Sequence, residues 1–322
     1  MDIKISVVIP TCQRPELLTR CLKALKKQRF EKKHFEVIVV SDGRDDVTYR
    51  CLKSLIKSQY LNIKHISTPE KKGPAAARNI GWLESKGRLI AFTDDDCIPD
   101  VNWLEDIEKA HTGVEEIVYT GNVKVTIPQK PTDYQLSVGN LEKAEFATAN
   151  CVCTKKALIK VGGFDERFQL AWREDADLHF KIIEHNIPIQ KIEATVVYPV
   201  SESPWGISIM EQKNGVFNAL LYKKYPQLYR EKVRSYISWF YYIMVIAAIS
   251  IIVGLLTHAE ELAVGGSVVW FLFLAGFITK RLSSTSHSLV HITEIIVTST
   301  VIPFLSVYWQ IYGALKYRVL FI

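Results

Sequence analysis

Charge is what this chain runs short of beyond Ser235. From there to the end only Glu260, Glu261, Lys280, Arg281, Glu294, Lys316 and Arg318 carry it. The net charge of +6 therefore belongs mostly to the preceding residues. Those residues hold no long run of one sign and no stripe of alternating basic and aromatic side chains, which argues against a nucleic-acid partner. The six cysteines (Cys12, Cys21, Cys51, Cys97, Cys151 and Cys153) form no CxxC pair and match no zinc-ligand spacing. Internal repeats and low-complexity stretches are missing too. No leader-like segment precedes "KISVVI", so a reduced, cytoplasmic setting is expected for the charged part.

What is present divides in two. Short β-rich runs at 4–9, 35–40, 61–66 and 88–93 alternate with helical patterns near 15–28, 45–58 and 74–86. That alternation predicts βαβ units, a mostly parallel sheet and helices on both of its faces. Further strands are expected at 116–125 and 189–200, and "EFATANCVCTKKAL" reads as a strand entering a helix. Residues 236–257, 262–279 and 295–315 are apolar and near the roughly 20 residues that a membrane-crossing helix requires. Lysines and arginines before the first segment and after the second place the N-terminal part on the cytoplasmic side of a cell membrane. The third segment contains Pro303 and is followed by Lys316 and Arg318, so a full crossing and an interfacial or re-entrant course both remain open. The expected division is a catalytic α/β domain at 1–222, a basic linker at 223–235 and an all-α membrane region at 236–322.

In parallel sheets, functional groups gather beyond the carboxyl ends of the strands. Here those ends read Pro10-Thr11-Cys12-Gln13-Arg14, Ser41-Asp42-Gly43, Lys72-Gly73-Pro74 and Asp94-Asp95-Asp96. Three adjacent carboxylates repel one another and require a positive partner. On an extended chain Asp94 and Asp96 point the same way, and two hard oxygen donors suit Mg²⁺ or Mn²⁺. Gly73-Pro74 marks a turn into a helix that carries Arg78, whose planar fork suits a phosphate. Asp42 is placed to accept hydrogen bonds from a base. A second acidic pair, Glu174-Asp175, opens the helical stretch "EDADLHFKIIEH", and a carboxylate there suits general-base work toward a hydroxyl.

Taken together and in order, "SVVIPTCQRPELLTRCLKAL", "VIVVSDG", "KKGPAAARNIGW", "IAFTDDDCIPDVNWL", "FATANCVCTKKALIKVGGFDERF" and "REDADLHFKI" resemble a family 2 glycosyltransferase of GT-A fold. The resemblance covers roughly residues 4–200. It implies a nucleotide-sugar donor (UDP is the expected nucleotide), a divalent metal and inversion at the anomeric carbon. By position it implies that Pro10, Thr11, Arg14, Asp42, Gly73 and Arg78 serve the nucleotide. Asp94 and Asp95 would lie toward the ribose, with Asp96 as metal ligand beside Asp94. Asp175 would be the base, with Glu174 next to it. Thr148, Asn150, Gly163 and Phe164 would build the acceptor wall. The chain departs from the family at Tyr198, where a histidine often stands, and it lacks the Q-x-x-R-W motif of processive synthases, which implies single-sugar transfer. The membrane segments imply a lipid-linked or glycan acceptor. The alternative is a non-catalytic nucleotide-sugar-binding subunit of a membrane glycan assembly complex, against which both intact carboxylate sites argue. A nucleotidyltransferase would need a glycine-rich loop where "PTCQRPE" stands.

Overall fold

The computed structural model describes residues 3–57, 61–233 and 239–320. Ser58, Arg234 and positions 236–238, which belong to expected elements, lie outside the described residues. In chain order, β1 (Ile5–Thr11), α1 (Pro15–Lys26), β2 (Phe35–Ser41), α2 (Asp46–Lys57), β3 (Ile63–Ser67), α3 (Pro74–Leu83) and β4 (Leu89–Phe92) form the expected βαβ series. Then come β5 (Ile98–Pro99), α4 (Trp103–Ala110), β6 (Val118–Thr126) and α5 (Asp133–Gly139). The elements β7 (Cys151–Thr154), α6 (Lys155–Val161), α7 (Glu174–Glu184) and β8 (Ile189–Pro199) complete the sheet region. After these stand α8 (Ile207–Met210), α9 (Val216–Lys224), α10 (Pro226–Leu228), α11 (Trp239–Leu256), α12 (Glu260–Leu282) and α13 (Leu289–Tyr317).

The chain forms two compact units. One holds Met1–Thr126 and Gly139–Val200, the other Ile127–Val138 and Ser201–Ile322. The structural division thus falls after Val200, earlier than the expected 222, because α9 packs on α13: a Cβ at Gly313 would lie 3.0 Å from the Val216 backbone.

In the first unit eight strands run in the order β3-β2-β1-β4-β7-β6-β8-β5. The parallel run expected from strand–helix alternation covers β3, β2, β1 and β4 and stops there. β7 enters antiparallel, with Cys153 opposite Ile90, and β6 is antiparallel to β7 yet parallel to β8. Side chains alternate across each strand. Val7 and Ile9 face Leu18, Leu22 and Trp103 of α1 and α4, while Val8, Ile90 and Phe92 face Trp82, Leu158 and Leu178 of α3, α6 and α7. Helices on both faces explain why β1, β2 and β4 read as near-continuous apolar runs.

In the second unit α11, α12 and α13 are each long and apolar enough to cross a membrane. Small residues let α11 and α12 approach closely: a Cβ at Gly254 would lie 2.6 Å from the Ala263 nitrogen, and one at Gly266 would lie 2.9 Å from the Ala247 carbonyl. The third apolar segment is longer than the expected 295–315. It is helical through Pro303 for 29 residues, about 43 Å.

The packing of α3 on the sheet yields the first prediction. A Cβ at Gly81 would lie 2.3 Å from Val8 Cγ1, and Val8 is fully buried and stiff at χ1. Gly81→Ala should lower stability by about 1–3 kcal/mol, as overpacking does. Thermal unfolding checks it, and adding Val8→Ala should recover part of the loss.

Candidate active site

The four strand ends converge on a cleft of about 380 Å³ lined by Pro10, Thr11, Arg14, Asp42, Gly73, Arg78, Asp94 and Asp96 among others. Every residue in that set comes from the end of β1, from the turns after β1, β2, β3 and β4, or from the helix that the third turn opens. Gln169, Leu170 and Ala171 close one wall, and Lys71, Cys12 and Tyr198 add to the lining.

The positive partners of the triple aspartate are two arginines. Arg14 Nη2 lies 2.6 Å from Asp95 Oδ1, a close ion pair lacking hydrogen-bond alignment, and Arg14 Nη1 donates to Asp96 Oδ2 at 3.2 Å. Thr11 Oγ1 donates to the other Asp95 oxygen at 2.7 Å. Asp95 is fully buried, and burial pushes its carboxyl up to about 7 against the pull of Arg14 and Thr11. Arg78 is only 3% exposed and spans two carboxylates: Nη2 donates to Asp94 Oδ1 at 2.7 Å and Nη1 to Glu174 Oε1 at 3.1 Å. Both guanidiniums, expected on the nucleotide, are engaged by carboxylates. A desolvated carboxylate needs a countercharge in direct contact, and here Arg14 and Arg78 supply it.

The same cluster can be tested for a cation. Ligand atoms of Asp94, Asp96 and Cys97 lie within 4.8 Å of one another. Asp96 Oδ1 is buried with no hydrogen-bond partner among the described residues, while its Oδ2 accepts from the Tyr198 hydroxyl at 3.1 Å. Burial raises the Cys97 thiol well above its usual range, so it stays a neutral sulfur. Two hard carboxylates remain, one with a bare oxygen, and that set fits Mg²⁺ or Mn²⁺. Tyr198, marked in the sequence only as a departure, supports Asp96.

Asp42 has a local partner. Its Oδ1 accepts from the Lys72 and Gly73 amides at 2.7 and 3.1 Å, so it pins the turn after β3 while still lining the cleft. Gly73 has φ +96, and a Cβ there would lie 2.3 Å from the Gln169 carbonyl oxygen. Only glycine lets the 169–171 wall come this close. That contact, 96 residues apart, leaves no signal in local sequence.

Glu174 and Asp175 open α7, with Arg173 at φ +73 before them. Glu174 is buried against Arg78; burial and the neighbouring Asp175 raise its pKa, and Arg78 opposes the rise. Asp175 is partly exposed and is raised chiefly by desolvation, with the Ala176 amide opposing through a 2.7 Å hydrogen bond. The four residues expected at an acceptor wall are buried. Asn150 accepts from Trp103 Nε1 and donates to the Asn122 and Ala194 carbonyls, and Phe164 packs edge-on against Phe92. Gly163 abuts Trp82, and Thr148 is 6% exposed.

Comparison with known proteins agrees with this geometry. Residues 6–164 match the family model described as glycosyl transferase family 2. Glycosyltransferase AglE of Haloferax volcanii is 34% identical over 128 residues, which are 40% of this chain and 42% of that one. The GalNAc(5)-diNAcBac-PP-undecaprenol beta-1,3-glucosyltransferase of Campylobacter jejuni is 27% identical over 174 residues, 51% of this chain and 56% of that one. The chain spans about half the length of these curated relatives. Mannosyltransferase PcManGT from Pyrobaculum calidifontis, solved with GDP-Man and Mn²⁺, shares the fold: its TM-score is 0.53 at 17% identity, over 99% of this chain and 88% of that one.

The Arg78 bridge yields the second prediction. Removing one member of a buried ion network leaves the others uncompensated. Arg78→Ala should therefore destabilise the protein by about 3–5 kcal/mol, measured by unfolding in detergent. Adding Glu174→Gln should restore part of that, because one stranded charge is gone.

Proposed function

The chain belongs to glycosyltransferase family 2, and from that premise we propose that it moves one sugar from a nucleotide-sugar donor to a lipid-linked or glycan acceptor, with inversion. One observation carries the reading. Arg78 joins a carboxylate suited to a metal, Asp94, to the acidic start of α7, Glu174. Donor chemistry and acceptor chemistry are thus held in register by one buried side chain.

Pro10, Thr11, Asp42 and Gly73 line the cleft where the nucleotide would sit, with UDP the expected base and diphosphate. Asp94 and Asp96 would hold a divalent ion, Mg²⁺ or Mn²⁺, which when bound neutralises the departing diphosphate. Arg14 and Tyr198 keep Asp96 oriented from either side. Asp175 accepts the proton of the acceptor hydroxyl as that oxygen attacks from the face opposite the leaving group. Its raised pKa makes it a stronger proton acceptor than an exposed aspartate. Glu174, tied to Arg78, positions the start of α7 rather than taking the proton.

The apolar hairpin of α11 and α12 would anchor the enzyme in a cell membrane. There a lipid-linked acceptor meets it at high effective concentration. Lys223, Lys224, Arg230, Lys232 and Arg234 before the hairpin, and Lys280 and Arg281 after it, favour a cytoplasmic catalytic unit. A donor screen tests the whole reading. A nucleotide sugar with Mn²⁺ should raise the melting temperature by mass action, and the same donor should support transfer to a polyprenyl-phosphate acceptor. Binding without any transfer or donor hydrolysis would favour a non-catalytic subunit.

Asp175 carries the third prediction. Asp175→Asn keeps shape and removes the proton acceptor, so kcat should fall by roughly 10²–10⁴ while donor affinity stays unchanged. The parent's rate should decline as pH drops through the raised pKa, above the ordinary aspartate value of about 3.9, because the base must be ionised to act. The variant should lose that acidic limb. A wild-type rate in Asp175→Asn would move the base role to Glu174.

A further inference from the structure

The second unit contains a contact pattern that three parallel membrane spans do not produce. At the base of the hairpin, the start of α11 and the end of α12 lie level: Phe240 and Tyr241 meet Phe277 with ring centroids 5.3 and 5.6 Å apart. Both of these ends touch α13, at different points along it. Arg281 Nη1 donates to Thr298 Oγ1 and Ser299 Oγ at 2.8 and 2.9 Å, and the Tyr242 hydroxyl donates to Gln310 at 3.3 Å. From 298 to 310 an α-helix rises about 18 Å. A helix running alongside the hairpin would meet residues at levels that far apart. α13 instead crosses its base.

A second line of contacts agrees. Glu294 accepts from the Gly206 amide at 2.7 Å, Gly313 abuts Val216, and Lys223 Nζ donates to the Tyr317 carbonyl at 2.7 Å. The segment 206–224 therefore accompanies α13 along most of its length, and that segment carries Glu211, Lys213, Lys223 and Lys224. Were α13 to cross a bilayer, it would draw charges to hydrocarbon depth, each costing about 2.5–3.5 kcal/mol on insertion scales. One face of α13 is buried on protein through Ile295, Ile302 and Val307. The other exposes Val297, Phe304 and Tyr308. An apolar face of that kind, edged by tyrosines, suits the layer between headgroups and acyl chains.

We propose that α13 is an interfacial helix: paired with 206–224 it lies in the membrane surface, the chain crosses the bilayer twice, and the basic end it shares with α9 engages anionic lipid headgroups. The Lys223–Tyr317 bond is what unites that end, bringing Lys223 and Lys224 to Lys316 and Arg318 across more than 90 residues of sequence. This assignment rests on the reading that the α11–α12 hairpin sits in a bilayer, and it decides the course that the sequence left open.

Reporter fusions in the full chain test it. A reporter after Thr257 should face the side opposite the N-terminus, and one after Ile322 should face the same side as the N-terminus. A C-terminal reporter on the far side, with Thr257 also far, overturns the interfacial helix and leaves the membrane hairpin intact. A Thr257 reporter on the near side overturns both. The headgroup assignment has its own measurement, in phosphatidylcholine nanodiscs with and without phosphatidylglycerol. The parent should gain several degrees of melting temperature from the anionic lipid. A Lys224→Gln, Lys316→Gln, Arg318→Gln variant should match the parent in pure phosphatidylcholine and lose most of that gain. An unchanged gain in the variant overturns the headgroup contact.

Discussion

Three carboxylates at the end of one buried strand cannot stand without countercharge, and much of the first unit is arranged to supply it. Arg14 comes from the turn after β1 and Arg78 from the second turn of α3, while Tyr198 of β8 adds an uncharged hydrogen bond to Asp96. Each is carried by a different element, so the cluster forms only when β1, α3, β4 and β8 are docked. Burial raises the Asp95 and Asp96 carboxyls, and pairing with Arg14 offsets part of that cost.

Arg78 extends that network beyond the aspartates. Through Glu174 it reaches the first turn of α7, so the aspartate cluster and the turn that carries the proposed base share one buried cation. A surface lysine could not do this: the planar fork makes two directed bonds to separate carboxylates, whereas an ammonium is a single point of charge. The close approach of Gly73 to Gln169 encloses the cleft from the other side. Close packing at both walls suits the proposed transfer, in which a leaving group and an attacking hydroxyl lie on one line.

The second unit answers to a different solvent. Charge is scarce in its long apolar helices, where Glu260, Glu261, Lys280, Arg281 and Lys316 stand in the first or last turn. Arg281 donates to Asp133, Thr298, Ser299 and Ser208, which satisfies nearly its whole fork at the base of the hairpin. Around Gly254 and Gly266 the two helices of the hairpin approach closely, backbone to backbone. Were the hairpin in a bilayer, as proposed, polar fixation at its base and small-residue packing farther along would suit that setting, because an unpaired polar group is far costlier in hydrocarbon.

The local features of this protein were set by sequence alone. Apolar runs flanked by turn residues define β1 to β4, Pro15 and Pro74 open their helices, and the residues after each strand mark the cleft, because these depend on periodicity and turn chemistry over a few positions. Tertiary structure decided what depends on distances between remote elements. It set β7 antiparallel beside β4, turned Arg14 and Arg78 onto carboxylates, and buried Asn150 and Phe164. It also laid α13 across the hairpin base: hydropathy records that a helix avoids water, while its direction is set by the side chains it meets, and those come from residues 206–224, 242 and 281.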